Sequence, residues 1–350
     1  MGRGGIETML MNYYRNIDRS KVQFDFLVHR DFKADYDDEI EALGGHIYRV
    51  PPMNPLSGKY RRALRDFFAQ HKYETVHCHL NYMSGIVLAE AKRAGVKRRI
   101  AHAHTANMNP GWKQYVRQLM KFSIPKNATM LAACSKQAGE AVFGGHGFDI
   151  LANAIDAESF RFSAESRARV REELKLEDAF AIMHVGRFVY PKNHAFLIDV
   201  FAEVLKREAD AKLILTGDGE LRPEIEAKVK ELGFADKVLF LGTRGDVAEL
   251  LQAADVFAFP SHFEGLPVTI IEAQAAGLPC VKSNTVTDEC VLTDLVTSLP
   301  IDDPVLWAEE ILKKRGFVRR DTLKDIAAGG YDITAAAEKL ENFYLNGAAL

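Results

Sequence analysis

The sequence lacks any run of about 18 consecutive apolar residues, so it does not predict a membrane-spanning helix. It also has only four cysteines among 350 residues, and their spacing forms neither a CxxC pair nor another metal-ligand pattern. Reduced, buried thiols are therefore expected, as in a cytosolic protein, and not a disulfide framework or a zinc site. No secretory signal peptide and no low-complexity segment are visible. These absences together predict a cytoplasmic protein.

Length and composition predict two domains. A chain of 350 residues that is 47% hydrophobic and 27% charged can bury two ordinary cores. Apolar segments that read as strands begin near Val22, His46, Glu74, Arg98, Thr129 and Ile150, and then near Ala179, Ala211, Lys237, Asp255 and Pro279. Helical patterns fill most of the gaps, so the alternation predicts parallel βαβ units and an α/β fold. The charged segment 157–178 has no strand character and marks the boundary region.

The two halves differ in charge. Residues 1–155 contain 22 Lys+Arg and 14 Asp+Glu, whereas the remainder contains 23 and 34. The basic first half predicts an anionic partner such as a membrane surface. Its stretches 59–65 and 112–122 combine cations with apolar residues at helical spacing. Each stretch could form a helix that lies on an anionic bilayer. The alternative is a helix whose apolar side packs on the sheet and whose basic side faces solvent. Nucleic acid is not expected, because aromatic residues are not interleaved with the cations.

Two glutamates, Glu264 and Glu272, carry the most information. Glu264 follows a strand predicted at 255–259, and Gly265-Leu266-Pro267 is predicted to open a helix that carries Glu272 about two turns further on. The free N–H groups at the start of this helix make an anion site between two carboxylates that can accept hydroxyl hydrogens. This arrangement fits a nucleotide sugar, in which a diphosphate joins two polyols. For Glu272 alone, the alternative is a solvated position on a surface helix.

A second set of residues follows the buried strand predicted at 179–185. Gly186 lets the backbone turn close to a ligand, Arg187 offers a planar fork for phosphate oxygens, and Lys192 offers a mobile charge. Ligands bind at the carboxyl ends of strands in open α/β sheets. Gly217, after the next strand, is predicted to form a tight turn near the same ligand. The alternative for Arg187 and Lys192 is a pair of surface cations at a strand–helix junction.

Seven motifs, in order along nearly the whole chain, resemble glycosyltransferase family 4, the retaining GT-B group, and especially its capsular and exopolysaccharide members. The first three are RGGIE at 3–7, HAHT at 102–105 and NAID at 153–156. The other four are VGRFVYPKN at 185–193, LTGDGE at 215–220, FLGTRGDV at 240–247 and EGLPVTIIE at 264–272. The glutamate spacing together with the Arg–Lys pair is the specific part of this resemblance.

The resemblance implies a GT-B fold with two Rossmann-like domains that face each other across a cleft. Residues 1–158 would form the acceptor-side domain, residues 159–330 the nucleotide-sugar-binding domain, and residues 331–350 a helix that crosses back to the first domain. Family members have a strand before the glycine turn of the RGGIE motif, and this sequence lacks one. Because the first strand is central in the usual doubly wound order, we expect the natural protein to start about ten residues upstream.

The resemblance also implies a function: transfer of a hexose with retention from a nucleotide-diphosphate donor, by family frequency a UDP-sugar, to a glycan or lipid-linked acceptor. The setting would be cell-surface polysaccharide synthesis, at the inner face of the plasma membrane. The implied catalytic residues are His104, Arg187, Lys192 and Glu264. The implied donor-binding residues are Gly4, Gly5, Gly186, Gly217, Leu241, Thr243, Gly265, Leu266, Pro267, Val268 and Glu272.

Each implied role follows the family. Arg187 and Lys192 would neutralise the departing diphosphate without a metal or another cofactor. Glu272 would accept hydrogen bonds from ribose hydroxyls, and Glu264 from the transferred sugar, which His104 would also face. The main chain at Leu241–Thr243 would read the base, and Gly4 and Gly5 would approach the diphosphate or the sugar.

Two alternatives are open. In a metal-dependent transferase of the other common fold, Asp35-Tyr36-Asp37 would be an Asp-x-Asp metal site, although acids also favour the start of the helix predicted at 37–43. The second alternative is a catalytically silent GT-B module that acts as a scaffold or nucleotide sensor. The missing strand supports it, and the intact Arg–Lys and Glu pairs oppose it.

Overall fold

The computed structural model describes residues 1–2, 4–54, 57–104 and 118–347. By their contacts the residues divide into two units. Unit 1 comprises Met1–Ile155 and Gly330–Leu350, and unit 2 comprises Asp156–Gly329. The divisions therefore lie at 155/156 and 329/330, whereas the domain boundaries predicted from the sequence lie at 158/159 and 330/331.

Unit 1 alternates strands and helices. Its strands are β1 (Phe26–Val28), β2 (Ile47–Arg49), β3 (Thr75–Cys78), β4 (Arg98–Ala103), β5 (Met130–Ala133) and β6 (Asp149–Ile150). Its helices before residue 155 are α1 (Gly5–Asn16), α2 (Asp37–Ala42), α3 (Gly58–Gln70), α4 (Ser84–Arg93), α5 (Ile124–Asn127) and α6 (Lys136–Phe143), with a 3₁₀ turn at Asn81–Met83.

The strands of unit 1 form two parallel sheets. β1 pairs with β2, and β3, β4, β5 and β6 pair in that order. The register places Thr75 opposite Arg98 and Cys78 opposite Ala101. All the pairings are parallel, as expected when helices connect successive strands.

Unit 2 follows the same alternation. Its strands are β7 (Ala181–Val185), β8 (Lys212–Thr216), β9 (Val238–Gly242), β10 (Val256–Phe259), β11 (Cys280–Ser283) and β12 (Val296–Leu299). Its helices are α7 (Ala157–Phe160), α8 (Ala164–Glu173), α9 (His194–Leu205), α10 (Arg222–Glu231), α11 (Val247–Ala253), α12 (Val268–Ala275), α13 (Pro304–Leu312) and α14 (Leu323–Ala328). There are 3₁₀ turns at Tyr190–Lys192, Ala235–Lys237 and Asp288–Cys290.

Unit 2 has one parallel six-stranded sheet in the order β12-β11-β10-β7-β8-β9. β7 comes first in the sequence but lies between β10 and β8, so the direction of strand addition reverses between β7 and β10. In open α/β sheets a ligand crevice forms at such a reversal, outside the carboxyl ends of the strands. β12 is absent from the sequence-predicted strands; its residues are half-buried at the sheet edge and give a weak apolar pattern.

The core of unit 2 is built where α9 and α13 cover the sheet. Phe201 and Val204 of α9 and Trp307 of α13 are fully buried in one apolar cluster with Leu213 of β8. The Trp307 indole N–H donates to the Pro300 carbonyl at 2.6 Å, so burying this large ring leaves no unpaired donor. The helices α9 and α13 thus cover one face of the sheet and pack against its strands.

The last helix, α15 (Ile333–Asn346), belongs to unit 1. Its amino terminus is capped by Asp332, whose carboxylate accepts from the Thr334 N–H at 3.0 Å. The Ile155 N–H donates to the Tyr331 carbonyl, and the Ile333 N–H donates to the Ile155 carbonyl, both at 2.9 Å. Leu340 is buried in a cluster with Met9 and Tyr13 of α1 and Ile100 of β4.

The basic stretch 59–65 lies on α3, and the structure settles which way its apolar side faces. Tyr60, Leu64 and Phe68 are buried inside unit 1, whereas Lys59 and the arginines of the helix are exposed. The apolar side is therefore not available to a bilayer, and the packed-helix alternative is correct for this stretch. The other basic stretch, 112–122, falls largely on residues 105–117, outside the described part of the chain. No described helix is long and apolar enough to cross a membrane.

Replacing Leu340 by alanine should lower the free energy of unfolding of the chain by about 2–5 kcal/mol, because it opens a cavity between α15 and α1. Urea unfolding monitored by circular dichroism measures the effect. Leu345, 40% exposed on the same helix, is the matched control, and its replacement by alanine should change stability by less than about 0.5 kcal/mol. Equal losses for the two variants would contradict the packing described for α15.

Candidate functional site

Most of the sequence-predicted site residues of unit 2 gather at the carboxyl edge of its sheet. Gly186 and Arg187 follow β7, Gly217 follows β8, and Glu264 lies in the loop after β10. Since β10, β7, β8 and β9 are consecutive neighbours, these loops lie side by side at the reversal of strand order. The order of the strands thus brings together residues that are far apart in sequence.

Glycine is required where the loops after β7 and β8 meet. Gly217 has φ +135°, and a Cβ at this position would lie 2.2 Å from the Gly186 carbonyl oxygen. The Gly217 N–H donates to the Gly242 carbonyl at 2.8 Å, and the Gly186 N–H donates to the Thr216 carbonyl at 2.9 Å. The ends of three strands are therefore locked in one arrangement, and position 217 requires a glycine; that Gly217 lies near the donor stays a prediction.

Lys192 and Glu264 face each other across the strand reversal. Lys192 Nζ lies 2.8 Å from Glu264 Oε1, and the side chains are only 18% and 17% exposed. Lys192 Nζ also lies 4.6 Å from the centre of the Phe259 ring, a cation–π contact. A Cβ at Gly186 would come within 3.0 Å of the Lys192 side chain, so the glycine makes room for it. The alternative of a solvent-facing surface lysine is therefore wrong for Lys192.

Backbone contacts hold the two loops that supply this ion pair. Residues Tyr190–Lys192 form a 3₁₀ turn, and Asn193 follows in the left-handed region with φ +52°, which asparagine tolerates better than most residues. The His262 N–H donates to the Pro191 carbonyl at 2.8 Å, and the Tyr190 and His262 rings stack at 4.7 Å. Arg187, by contrast, is exposed, which leaves its guanidinium open to a ligand.

The helix after Glu264 begins later than the sequence predicts. Pro267 is the N-cap of α12 and Val268 is its first residue, so Gly265 and Leu266 belong to the preceding loop. Glu272 accordingly lies about one turn into the helix, not two. No side chain caps this helix. Its first-turn N–H groups are thus free of side-chain partners and suited to an anion.

Glu272 is partly buried, so the solvated-face alternative is wrong. Burial raises the pKa of its carboxyl from 4.5 to about 7. The cause is loss of water around the charged form, which no described cation offsets. A ligand that donates hydrogen bonds to this carboxylate would stabilise its charged form.

Three hydroxyl groups at the same edge were not predicted from the sequence. Thr216 ends β8, Ser261 follows β10, and Thr269 lies in the first turn of α12; within the described residues their buried hydroxyl oxygens have no hydrogen-bond partner. Native proteins leave few such groups unpaired, so these point to a polar ligand. A hydroxyl residue at the end of a buried strand was the available signal. Leu241 lies in β9 and Thr243 is exposed just beyond it, next to this edge.

In unit 1, His104 is part of a cluster of four histidines on one face of β3 and β4. The four rings, of His77, His79, His102 and His104, have neighbouring centroids 4.0–5.2 Å apart. His79 Nδ1 lies 2.9 Å from His104 Nε2, and His77 Nδ1 lies 2.6 Å from the Tyr344 hydroxyl. Burial lowers the pKa of His79 to about 3 and that of the other three well below 6.5. The cluster is therefore neutral at physiological pH, and sequence reasoning identified only His104.

His77, His79 and His102 are the group of potential metal ligands found among the described residues, with ring nitrogens within 4.8 Å of one another. Two of these rings already use a nitrogen, His77 with Tyr344 and His79 with His104. The site in unit 2 combines cations with two carboxylates: Glu264 pairs with Lys192, and Glu272 is partly dehydrated. That the donor binds without a metal stays a prediction.

The remaining candidates of unit 1 lie at its amino-terminal end. Gly4 is the N-cap of α1 and Gly5 its first residue, and no side chain caps this helix. The Asp-x-Asp alternative is weakened because Asp37 is buried and its carboxylate already accepts hydrogen bonds within unit 1. Its carboxylate accepts from Arg49 Nη2 at 2.7 Å and from the Ala34 N–H at 3.2 Å. Asp37 therefore stabilises the start of α2 and is not free for a metal.

Comparison with known proteins covers both units. The family model described as Glycosyltransferase Family 4 matches residues 3–159, and that described as Glycosyl transferases group 1 matches residues 179–314. The putative glycosyltransferase EpsF of Bacillus subtilis (strain 168) is 38% identical over 363 residues, covering 98% of this chain and 94% of EpsF. The capsular polysaccharide biosynthesis glycosyltransferase CapH of Staphylococcus aureus is 24% identical, covering 99% of this chain and 96% of CapH.

Solved structures show the same fold. Anabaena HepE, crystallised in complex with UDP and glucose, superimposes with a TM-score of 0.79 at 19% identity, covering 98% of this chain and 96% of HepE. The fold is thus that of the GT-B glycosyltransferases.

Replacing Glu272 by glutamine should stabilise the protein more near pH 8 than near pH 5. The folded-state pKa of about 7 exceeds the ordinary 4.5. The glutamate therefore costs little below pH 4.5, and its cost grows as pH rises towards 7. The difference in stabilisation between the two pH values should be about 2–3 kcal/mol, measured by urea unfolding without ligand. Glu231→Gln, exposed on α10, is the control; the same pH dependence in both variants would refute the burial effect.

Proposed function

The chain belongs to glycosyltransferase family 4, and we propose that it moves a hexose, with retention, from a UDP-sugar to a glycan or lipid-linked acceptor. It is a GT-B glycosyltransferase of polysaccharide biosynthesis. The observation that carries the donor proposal is the group of cations, carboxylates and free helix N–H groups at the strand reversal of unit 2. Each part of that group matches a part of a nucleotide sugar.

The diphosphate would lie against Arg187, Lys192 and the first turn of α12. Arg187 is exposed and can bind phosphate oxygens with two N–H groups, and α12 adds backbone donors. As the bond from the sugar to the diphosphate breaks, negative charge grows on the leaving oxygen. Cations already fixed around that oxygen lower the barrier because they need little rearrangement.

The Lys192–Glu264 ion pair keeps the lysine in place before the donor arrives. At 2.8 Å the two side chains satisfy each other's charge in a partly buried site. A bound diphosphate would share Lys192 and leave Glu264 Oε atoms to accept from the sugar hydroxyls. Binding then exchanges one ion pair for several charge-assisted hydrogen bonds.

Glu272 would hold the ribose. Burial raises the pKa of its carboxyl because the charged form loses water. Two ribose hydroxyls would donate hydrogen bonds to this carboxylate and stabilise its charged form. UDP is proposed as the nucleotide because the HepE structure contains it. Leu241–Thr243 would offer main-chain contacts to the base.

Three parts of the proposal concern unit 1. Gly4, Gly5 and His104 keep their proposed roles towards the diphosphate and the transferred sugar, as in the family. A neutral His104, held by His79, could accept or donate one hydrogen bond to a sugar hydroxyl. The exposed cations of α3 support a location at the cytoplasmic membrane face, where a lipid-linked acceptor would be found.

Arg187→Ala should weaken UDP binding about 10- to 100-fold, because a charge-assisted contact to phosphate is lost. Isothermal titration with UDP in the presence of EDTA measures this. Arg207→Ala is the matched control, since Arg207 is an exposed arginine of the same unit, paired with Glu309 at 2.9 Å. It should bind UDP normally.

Two outcomes would count against this proposal. Normal UDP binding by Arg187→Ala would remove the guanidinium from the site. Normal binding of UDP together with no hydrolysis of any UDP-hexose and no transfer would favour the silent module over the enzyme.

Transfer in the presence of EDTA should proceed at the rate seen without it, because protein cations take the place of a metal. Proton NMR of the first product should show an α-linked hexose from an α-linked donor, which is retention. Loss of activity with EDTA that added Mg²⁺ or Mn²⁺ restores would contradict the metal-free mechanism, and a β-linked product would contradict retention.

A further inference from the structure

The histidine cluster of unit 1 contains buried ring nitrogens that make no hydrogen bond of normal geometry within the described residues. His102 is fully buried on β4, and both of its ring nitrogens are of this kind. The Nε2 atom of His77 is a third. Native proteins pair most buried polar side-chain atoms with protein, with water or with an ion. Three such nitrogens in one cluster therefore point to a ligand that accepts lone pairs.

Three of the histidines bring ring nitrogens close together. One nitrogen each from His77, His79 and His102 lies within 4.8 Å of the other two. The cause is the alternation of side chains along a strand, which puts the rings at the end of β3 and of its neighbour β4 on the same face of the sheet. Zinc–imidazole bonds are about 2.0–2.1 Å long, so small ring movements would let all three nitrogens reach one ion.

Hydrogen bonds already orient two of these rings. The Nδ1 atom of His77 lies 2.6 Å from the hydroxyl of Tyr344 on α15, and the Nδ1 atom of His79 lies 2.9 Å from Nε2 of His104. The Nε2 atoms of His77 and His79 are then the ones left for an ion. Histidines that bind a metal ordinarily donate their other N–H group to a partner, which fixes the tautomer and the ring orientation. Tyr344 and His104 are placed to be those partners.

The donor atoms select the class of ion. All three are imidazole nitrogens, which suit Zn²⁺, Cu²⁺ or Ni²⁺, whereas Mg²⁺ and Ca²⁺ prefer oxygen ligands. Three imidazoles also leave the fourth position of a tetrahedral ion open. The cluster is therefore suited to one zinc-type ion with one exchangeable ligand.

We propose that His77, His79 and His102 bind one divalent ion of the zinc type, with Tyr344 and His104 holding two of the ligand rings. The site lies in unit 1, apart from the diphosphate-binding residues proposed in unit 2, and it has no part in holding the diphosphate. Because Tyr344 belongs to α15, the ion ties the last helix to β3 and β4. Ion binding therefore stabilises the fold of unit 1.

The test starts from protein that has been treated with a chelator and dialysed. Isothermal titration with Zn²⁺ should show saturable binding of one ion per chain. Co²⁺ should bind in its place and give the intense visible absorption bands of a four-coordinate ion. Zn²⁺ should raise the melting temperature, because it binds the folded chain in preference to the unfolded one. Mg²⁺ at the same concentration should change neither the absorption nor the melting temperature.

Three variants assign the binding to the cluster. His102→Gln removes one ligand and should abolish the Co²⁺ bands. Tyr344→Phe keeps the ring but loses the hydroxyl, so it should weaken Zn²⁺ binding about 10- to 100-fold. His146→Ala is the matched control, because His146 is an exposed histidine of the same unit, and it should bind normally. Circular dichroism of each metal-free variant checks folding, and Tyr344→Phe decides the question if His102→Gln does not fold.

Several results would overturn the proposal. Absence of Zn²⁺ binding would mean that the unpaired nitrogens hold water. A fall in melting temperature would mean that the unfolded chain binds the ion better. An equal loss of affinity in His146→Ala, or normal affinity in Tyr344→Phe, would place the ion elsewhere. UDP titration in EDTA reads unit 2 alone, so failure of this inference and failure of the proposed function are distinguishable.

Discussion

The backbones after β7 and β8 approach each other so closely that position 217 has no room for a side chain. This contact fixes the path of residues 186–192, because the Gly186 carbonyl oxygen is the atom that a Cβ at Gly217 would meet. Lys192 then folds back over Gly186 and reaches Glu264 from the neighbouring loop. The position of the charged groups is thus a consequence of main-chain packing, and side-chain flexibility has little part in it.

Glu272 destabilises the protein when no ligand is bound. An unpaired, partly dehydrated carboxylate destabilises the empty protein near neutral pH, and the raised pKa reports that cost. The hydroxyls of Thr216, Ser261 and Thr269, which have no hydrogen-bond partner within the described part of the chain, carry a similar cost. A ligand that supplies donors removes these costs on binding, and a ligand of the right size without them does not. Under the proposed function, the hydroxyls of a polyol are the donors that would remove these costs.

The sequence predicted most of the fold because buried parallel strands are continuous apolar runs. Every strand from β3 to β11 begins within two residues of its predicted start. The edge strand β12 was missed, since half-buried residues give no such run. Glycine turns after strands allowed the prediction of Arg187, Lys192 and Glu264 as site residues. The ion pair between Lys192 and Glu264 could not be predicted, because it depends on the order of the strands in the sheet. The start of α12 was predicted too early because Pro267 fits both an N-cap and a first-turn position. The histidines other than His104 were not predicted as site residues because a histidine on a buried strand looks like an ordinary core residue.

The return of the last helix to unit 1 makes unit 2 an insertion within the sequence of unit 1. The chain passes from one unit to the other at 155/156 and again at 329/330, and the backbone bonds of Ile155 to Tyr331 and Ile333 join the two crossing points. On the ribosome, unit 2 is a continuous segment that has all its strands before unit 1 has α15. Vectorial synthesis ordinarily favours folding of the amino-terminal domain first. In this chain the core around Met9, Tyr13 and Ile100 is completed only by the last helix, so unit 1 can finish folding only after that helix has been synthesised.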